Sequence, residues 1–161
     1  MCMKAAFPGS FDPPTLGHIN IIQRSAAIFD EITVVVAESR LKKYVFTIDE
    51  RLDLISALIE PWKNVSVAPC GGLLVEFLKE KGIPLIIRGV RGGVDFSYEF
   101  DLSMMYRALA PEIETVFFTA DPKYVVVRSS AIKELAYLGG DISTMVPPEV
   151  EQALKKIKQV L

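Results

Sequence analysis

The only histidine of the chain, His18, ends the stretch Phe7-Pro8-Gly9-Ser10-Phe11-Asp12-Pro13-Pro14-Thr15-Leu16-Gly17-His18. A short apolar run, Ala5-Ala6-Phe7, leads in, and Ile19, Ile22, Ala26 and Phe29 lead out on one helical face. The stretch therefore reads as a strand-to-helix crossover. In open α/β sheets such crossovers lie at the carboxyl edge, where ligands bind. Gly9 would let the backbone approach a ligand, while Pro13 and Pro14 stiffen the loop. Thr15 is placed to cap the helix, which puts Gly17 and His18 in its first turn, where free N–H groups favour anions. A histidine without that setting would be an ordinary helix residue. In it, His18 reads as a donor to an anionic substrate.

Two more clusters are built from donors. Leu85-Ile86-Ile87 reads as a buried strand, and Arg88-Gly89-Val90-Arg91 follows it. That order puts two guanidiniums at the sheet edge, where their forked N–H groups suit phosphate. The alternative is a pair of surface salt bridges to Asp95 or Glu99. In Val127-Arg128-Ser129-Ser130 two serines open a helix and offer hydroxyls and free amides, an anion site that plain capping would also explain. Lys42 and Lys43 lie in a polar, basic loop, Ser39 to Tyr44, which also holds Arg40. Such a donor set aligns and neutralises phosphates.

The elements that position these residues alternate along the whole chain. Ile32–Ala37, Val65–Ala68, Leu85–Ile87 and Thr115–Phe118 read as buried strands after the first. Thr47-Ile48-Asp49-Glu50 reads as a capping box before a helix carrying Leu52, Ile55 and Ile59, which Pro61 ends. A short helix after Gly71-Gly72 is expected to turn Leu73, Leu74, Phe77 and Leu78 inward and to close at Gly82. Another runs from about Phe96 to Leu109, and the one opened by Ser129-Ser130 stops near Gly139-Gly140. After Pro147-Pro148, the residues Val150, Leu154, Ile157 and Leu161 mark a last amphipathic helix. Five strands and their helices predict a doubly wound, five-stranded parallel α/β sheet with helices on both faces.

Thr15-Leu16-Gly17-His18 resembles the (H/T)xGH signature of nucleotidylyltransferases, and the segment Asp95-Phe96-Ser97-Tyr98-Glu99 resembles the DFxYE segment of the phosphopantetheine adenylyltransferases of bacterial type. The resemblance extends over nearly the whole chain. It implies a Rossmann-like strand order with the first strand central. It implies transfer of AMP from ATP to 4'-phosphopantetheine, giving dephospho-coenzyme A and pyrophosphate without a covalent enzyme intermediate. It assigns catalysis to His18, Lys42 and Arg91, and ATP binding to Ser10, Phe11, His18, Gly89, Val90, Arg91, Glu99, Tyr124, Ser129 and Ser130. It assigns the acceptor to Ser10, Lys42, Leu73, Leu74 and Arg88. It also implies a homohexamer. Two departures stand out. Ser10 replaces a frequent Thr and keeps the hydroxyl, and Arg128 stands where many relatives carry Ser. Arg128 is then expected beside the triphosphate tail. Asp12 is read as a turn residue. Mg²⁺ is expected to ride on the ATP phosphates and water, with no protein metal site.

Composition bounds the alternatives. The chain has 161 residues, half of them hydrophobic, which suits one domain spanning 1–161 with a sizeable core. A net charge of -2 argues against general nucleic-acid binding, and no apolar run is long enough to span a bilayer. Cys2 and Cys70 form no CxxC pair, and the start has no signal-peptide layout, so a reducing cytoplasmic setting is expected. A dinucleotide-dependent dehydrogenase would need GxGxxG after the first strand, which is absent. A non-catalytic nucleotide-binding module would not need so many donors. A sister transferase using nicotinamide mononucleotide or glycerol phosphate is the nearer alternative.

Overall fold

β1 (Lys4–Gly9) lies at the middle of the sheet, and its residues explain why. Ala5, Ala6 and Phe7 are apolar toward both faces and all buried, so the strand needs cover on each side. β2 (Glu31–Ala37), β3 (Val65–Cys70), β4 (Leu85–Val90) and β5 (Glu114–Thr119) complete an all-parallel sheet in the order β3-β2-β1-β4-β5. This is the expected Rossmann-like sheet. The structure, a computed structural model, describes residues 2–39 and 41–158. Arg40 and Leu161, expected in the basic loop and the last helix, fall outside the described residues.

α1 (Leu16–Ala26) and α2 (Ile48–Ile59) pack on one face. Their Ile22, Ile55 and Ile59 meet Val34, Val36 and Ile87. α3 (Leu74–Lys81) and α4 (Gly93–Leu109) cover the other face, where Val75 and Leu78 meet Ala6, Val35 and Ile86. α5 (Ser129–Leu138) and α6 (Pro148–Lys158) form a third cluster with Phe46 and Val127, which follow the carboxyl ends of β2 and β5. The capping box is present: Thr47 Oγ1 accepts from Glu50 N–H at 3.2 Å, and Glu50 Oε2 accepts from Thr47 N–H at 2.8 Å. Gly82 and Gly139 end their helices at φ 62° and 84°, where a side chain would be strained.

Three boundaries that bear on the site differ from expectation. α3 begins at Leu74, so Leu73 is its extended N-cap residue and stays exposed, while Val75 takes the inward place. α4 begins at Gly93, before the expected Phe96, with Phe96 N–H already bonded to the Gly92 carbonyl. Glycines are poor helix formers and hide such a start. β4 runs on through Arg88 to Val90, because the β5 ladder continues to the pair Val90–Thr119.

The sheet also prepares the site. β1 follows β2 from Lys4–Glu31 to Gly9–Val36, but it pairs with β4 only at Ala5–Leu85 and Ala6–Ile86. Beyond Ala6 the two strands part. Pro8, which has no N–H to donate, sits on the parting edge. The gap opens between β1 and β4, where the strand order reverses, which is where open sheets bind ligands.

Candidate active site

His18 is held by the cap it belongs to. Its backbone N–H donates to Thr15 Oγ1 at 3.2 Å, and Thr15 N–H donates to His18 Nδ1 at 3.1 Å. The imidazole thus fills the place a Glu or Gln takes in most capping boxes. Because Nδ1 accepts, the neutral ring carries its proton on Nε2. Burial, then the nearby Arg91 charge, hold the His18 pKa down at about 4. The ring is therefore a neutral donor at pH 7.

Phe11 supports that ring from behind. Its centroid lies 5.0 Å from the imidazole and 5.6 Å from Phe7, edge-on in both cases. Phe11 holds a left-handed backbone, φ 48°, and is buried. A Cβ on Gly9 would come within 3.0 Å of its ring. Gly9 thus has a packing reason in Phe11, beside the close backbone approach to a ligand that the sequence suggested. The α1 terminus is also less open than expected, since Leu16 N–H donates to the Met145 carbonyl at 3.0 Å.

Both arginines of the β4 edge are paired. Arg88 Nε and Nη2 donate to the two oxygens of Glu99 at 2.6 and 2.7 Å, and Nη1 donates to the Pro8 carbonyl at 3.1 Å. The third bond spans the gap between β1 and β4. Burial opposes the charge on Arg88, but the Glu99 bonds outweigh it and raise its pKa above the ordinary value. Arg91 Nε and Nη2 donate to Asp95 at 3.2 and 3.0 Å, and Nη1 donates to the Val127 carbonyl at 3.3 Å. Burial pushes the Asp95 carboxyl up, and Arg91 more than offsets this and holds it low. The salt-bridge alternative is therefore real, but these pairs are half-buried and face the gap. Both Glu99 oxygens accept from Arg88, so Glu99 fastens the guanidinium from the wall of the gap where the sequence places a nucleotide contact.

The Lys42 loop is fastened by two residues outside the sequence-derived set. Asp12 is buried, and its carboxylate accepts from Phe46 N–H at 2.9 Å, from Val45 N–H at 3.1 Å and from Lys133 Nζ at 2.9 Å. It is far more than a turn residue. Arg51 is fully buried and donates to the carbonyls of Ser10 at 2.9 Å and of Ala37 and Thr47 at 3.3 Å each. Its guanidinium lies 4.1 Å over the Tyr44 ring. One signal was legible: Arg51 shares the apolar stripe of α2 with Ile55 and Ile59. A lone arginine on such a stripe has to find buried acceptors.

The α5 terminus completes the wall. Ser129 Oγ donates to the Pro13 carbonyl at 2.9 Å, so its hydroxyl pins the crossover loop. Arg128 occupies the N-cap position and is exposed, and Ser130 is exposed beside it. Together these segments enclose a cavity of about 610 Å³ lined by Ser10, Phe11, His18, Lys42, Arg88, Arg91, Arg128, Ser129, Ser130 and Lys133, among others. A smaller recess of about 170 Å³ adjoins it, sharing His18, Arg88 and Arg91 and adding Gly89, Glu99 and Tyr124. Gly89 has a packing reason as well, since a Cβ there would overlap Ile21 Cδ1. Three expected residues do not line either space. Val90 is buried, Leu74 packs against the α3 cluster, and Leu73 points to solvent from the start of α3.

The description of the cytidylyltransferase-like family fits residues 6–135. The phosphopantetheine adenylyltransferase of Dictyoglomus thermophilum is 46% identical over 152 residues, covering 94% of this chain and 93% of that protein. The chain belongs to the phosphopantetheine adenylyltransferase family. The Desulforudis audaxviator member is 44% identical over 151 residues, with 94% and 93% coverage. The Thermotoga neapolitana member is 42% identical over 158 residues, with 98% of each chain covered. The crystal structure of a putative nicotinate-nucleotide adenylyltransferase from Vibrio parahaemolyticus superposes with a TM-score of 0.73 over 100% of this chain and 98% of that chain at 20% identity, a likeness of fold. Membership makes the chain an enzyme of the nucleotidyltransferase class. None of its described helices is long and apolar enough to cross a membrane.

Proposed function

We propose that the chain transfers AMP from ATP to 4'-phosphopantetheine, giving dephospho-coenzyme A and pyrophosphate. The observation that carries this reading is the set of donors around one cavity at the β1–β4 gap: His18, Lys42, Arg88, Arg91 and the α5 terminus. An oxygen of the acceptor phosphate attacks the α-phosphorus in line. The bond from that phosphorus to the oxygen bridging to the β-phosphorus breaks, and pyrophosphate leaves with the electron pair. No group of the enzyme need bond to the substrate, so rate comes from alignment and charge neutralisation.

Each role follows from how its residue is held. His18 Nε2–H is a fixed neutral donor for the oxygen that gains charge. Arg88 is preorganised by Glu99 and the Pro8 carbonyl, so it sets the line of the acceptor phosphate. Arg91 and the α5 terminus meet the leaving phosphates. Lys42 is exposed on its loop and supplies a point charge to the acceptor. Mg²⁺ enters with ATP as part of the nucleotide substrate. Asp12, Asp95 and Glu99 are each already joined to a cation, so the charge of the ion fits the phosphates better than these carboxylates.

A homo-oligomer, the homohexamer expected above, is part of the same reading, as is a cytoplasmic setting. α4 supports assembly. Its one buried residue is Glu99, while Val94, Phe96, Tyr98, Phe100, Met104 and Met105 are exposed. Apolar exposure on that scale marks an interaction surface.

A panel of phosphate acceptors with ATP and CTP, read by pyrophosphate release, tests the reaction. Release with ATP and phosphopantetheine supports it, and release only with nicotinamide mononucleotide or glycerol phosphate overturns it. His18→Ala should then lower kcat about 100–1000-fold and leave ATP affinity nearly unchanged, as for a donor used mainly in the transition state.

A further inference from the structure

The segments that hold the two substrates are joined by one carboxylate. Asp12 receives Val45 N–H and Phe46 N–H from the carboxyl side of the Lys42 loop, and Lys133 Nζ from α5. The amino side of the same loop is tied by Arg51 through Ala37 and Glu38. Residues 41–43, with Lys42 among them, thus lie in an arch between two anchors. Lys133 lies one turn beyond Ser129 and Ser130, on the face that lines the cavity.

We infer that Asp12 and Lys133 are positioning residues that set the Lys42 arch against the phosphate-binding end of α5. The carboxylate is buried, with Lys133 Nζ at 2.9 Å on one side and the N–H groups of Val45 and Phe46 on the side toward the arch. Without Lys133 the buried carboxylate loses its one cation partner among the described residues and turns or draws in water, and its hold on Val45 and Phe46 weakens. The reverse step matters as much. Lys133 held by Asp12 does not reach for the nucleotide phosphates. The pair therefore acts on acceptor binding, although Lys133 sits on the nucleotide side. This rests on the proposed roles of Lys42 and α5.

The test is a double-mutant cycle on the whole enzyme. Lys133→Met and Asp12→Asn should each raise KM for phosphopantetheine about tenfold or more, with ATP affinity within about twofold of wild type. The double variant should lose no more than Asp12→Asn alone, because both changes break one link. Lys133→Arg, which keeps the pair, should restore KM. A second readout needs no substrate. Residues 40–43 hold three trypsin sites, Arg40, Lys42 and Lys43. Cleavage there, located by mass spectrometry, should speed up about tenfold in Lys133→Met and return to the wild-type rate in Lys133→Arg. Additive losses, or lost ATP affinity with unchanged cleavage in Lys133→Met, would make Lys133 a direct nucleotide contact and overturn the inference. If Asp12→Asn does not fold, the two Lys133 variants decide alone. If the wild-type enzyme rejects phosphopantetheine, the proposed reaction falls, and trypsin still reads the arch.

Discussion

Acidification should leave His18 uncharged well below the pH at which histidines ordinarily protonate. A fall from 6.5 to about 4 corresponds to about 3 kcal/mol against the imidazolium. Burial is the larger cause and the Arg91 charge the smaller. The cap adds a geometric reason, because protonated Nδ1 could no longer accept from Thr15 N–H. The sign for stability follows. Above pH 6.5 the ring is neutral folded and unfolded, and contributes nothing. Between 6.5 and about 4 only the unfolded chain takes the proton, so folding weakens as pH falls, by about 2–3 kcal/mol at pH 4.5. The chain holds one histidine, so a proton NMR titration gives a single imidazole C2–H signal. Its midpoint should lie near 4, and Arg91→Met should lift it only part of the way to 6.5. Urea unfolding should show the extra acid loss in wild type and not in His18→Gln. A midpoint at 6 or above would refute the neutral-donor argument, since the ring would then be an ordinary exposed imidazole.

Glu99→Gln should behave like a milder Arg88→Ala, lowering kcat and raising KM for phosphopantetheine, because it unfastens the guanidinium; a selective loss of ATP affinity in calorimetry would instead make Glu99 a direct nucleotide contact. Lys42→Ala should raise that KM with little change in kcat. Gly89→Ala should destabilise by about 1–3 kcal/mol, since Ile21 Cδ1 must move from the core, and Ile21→Val should recover part of the loss in denaturant unfolding. Arg128→Ser should weaken ATP binding and spare phosphopantetheine, because Arg128 stands at the α5 mouth of the cavity; unchanged ATP affinity would leave it a surface residue.

Much of this was legible without coordinates because the signals are local. Apolar runs of strand length, the Thr47–Glu50 capping box and the glycine stops depend on residues a few positions apart. So does the placing of Thr15 before His18, which needs only the crossover geometry. The donor set was legible for a related reason: α/β topology sends every strand end to one edge, so a donor after a strand already faces the ligand side. Leu73 failed because a helical face rotates by about 100° per residue, and a start one residue later changes which leucine is buried.

What the sequence alone determined, then, is the order of elements, the sheet they make and the chemistry of the residues at its carboxyl edge. The tertiary structure decided who holds whom. Glu99 was joined to Arg88, Gly9 packed against Phe11 and the hydroxyl of Ser129 bonded to Pro13. Asp12 gathered partners from 33, 34 and 121 residues away. Side-chain reach is a few ångströms, and no spacing along the chain records which distant donors folding brings within it.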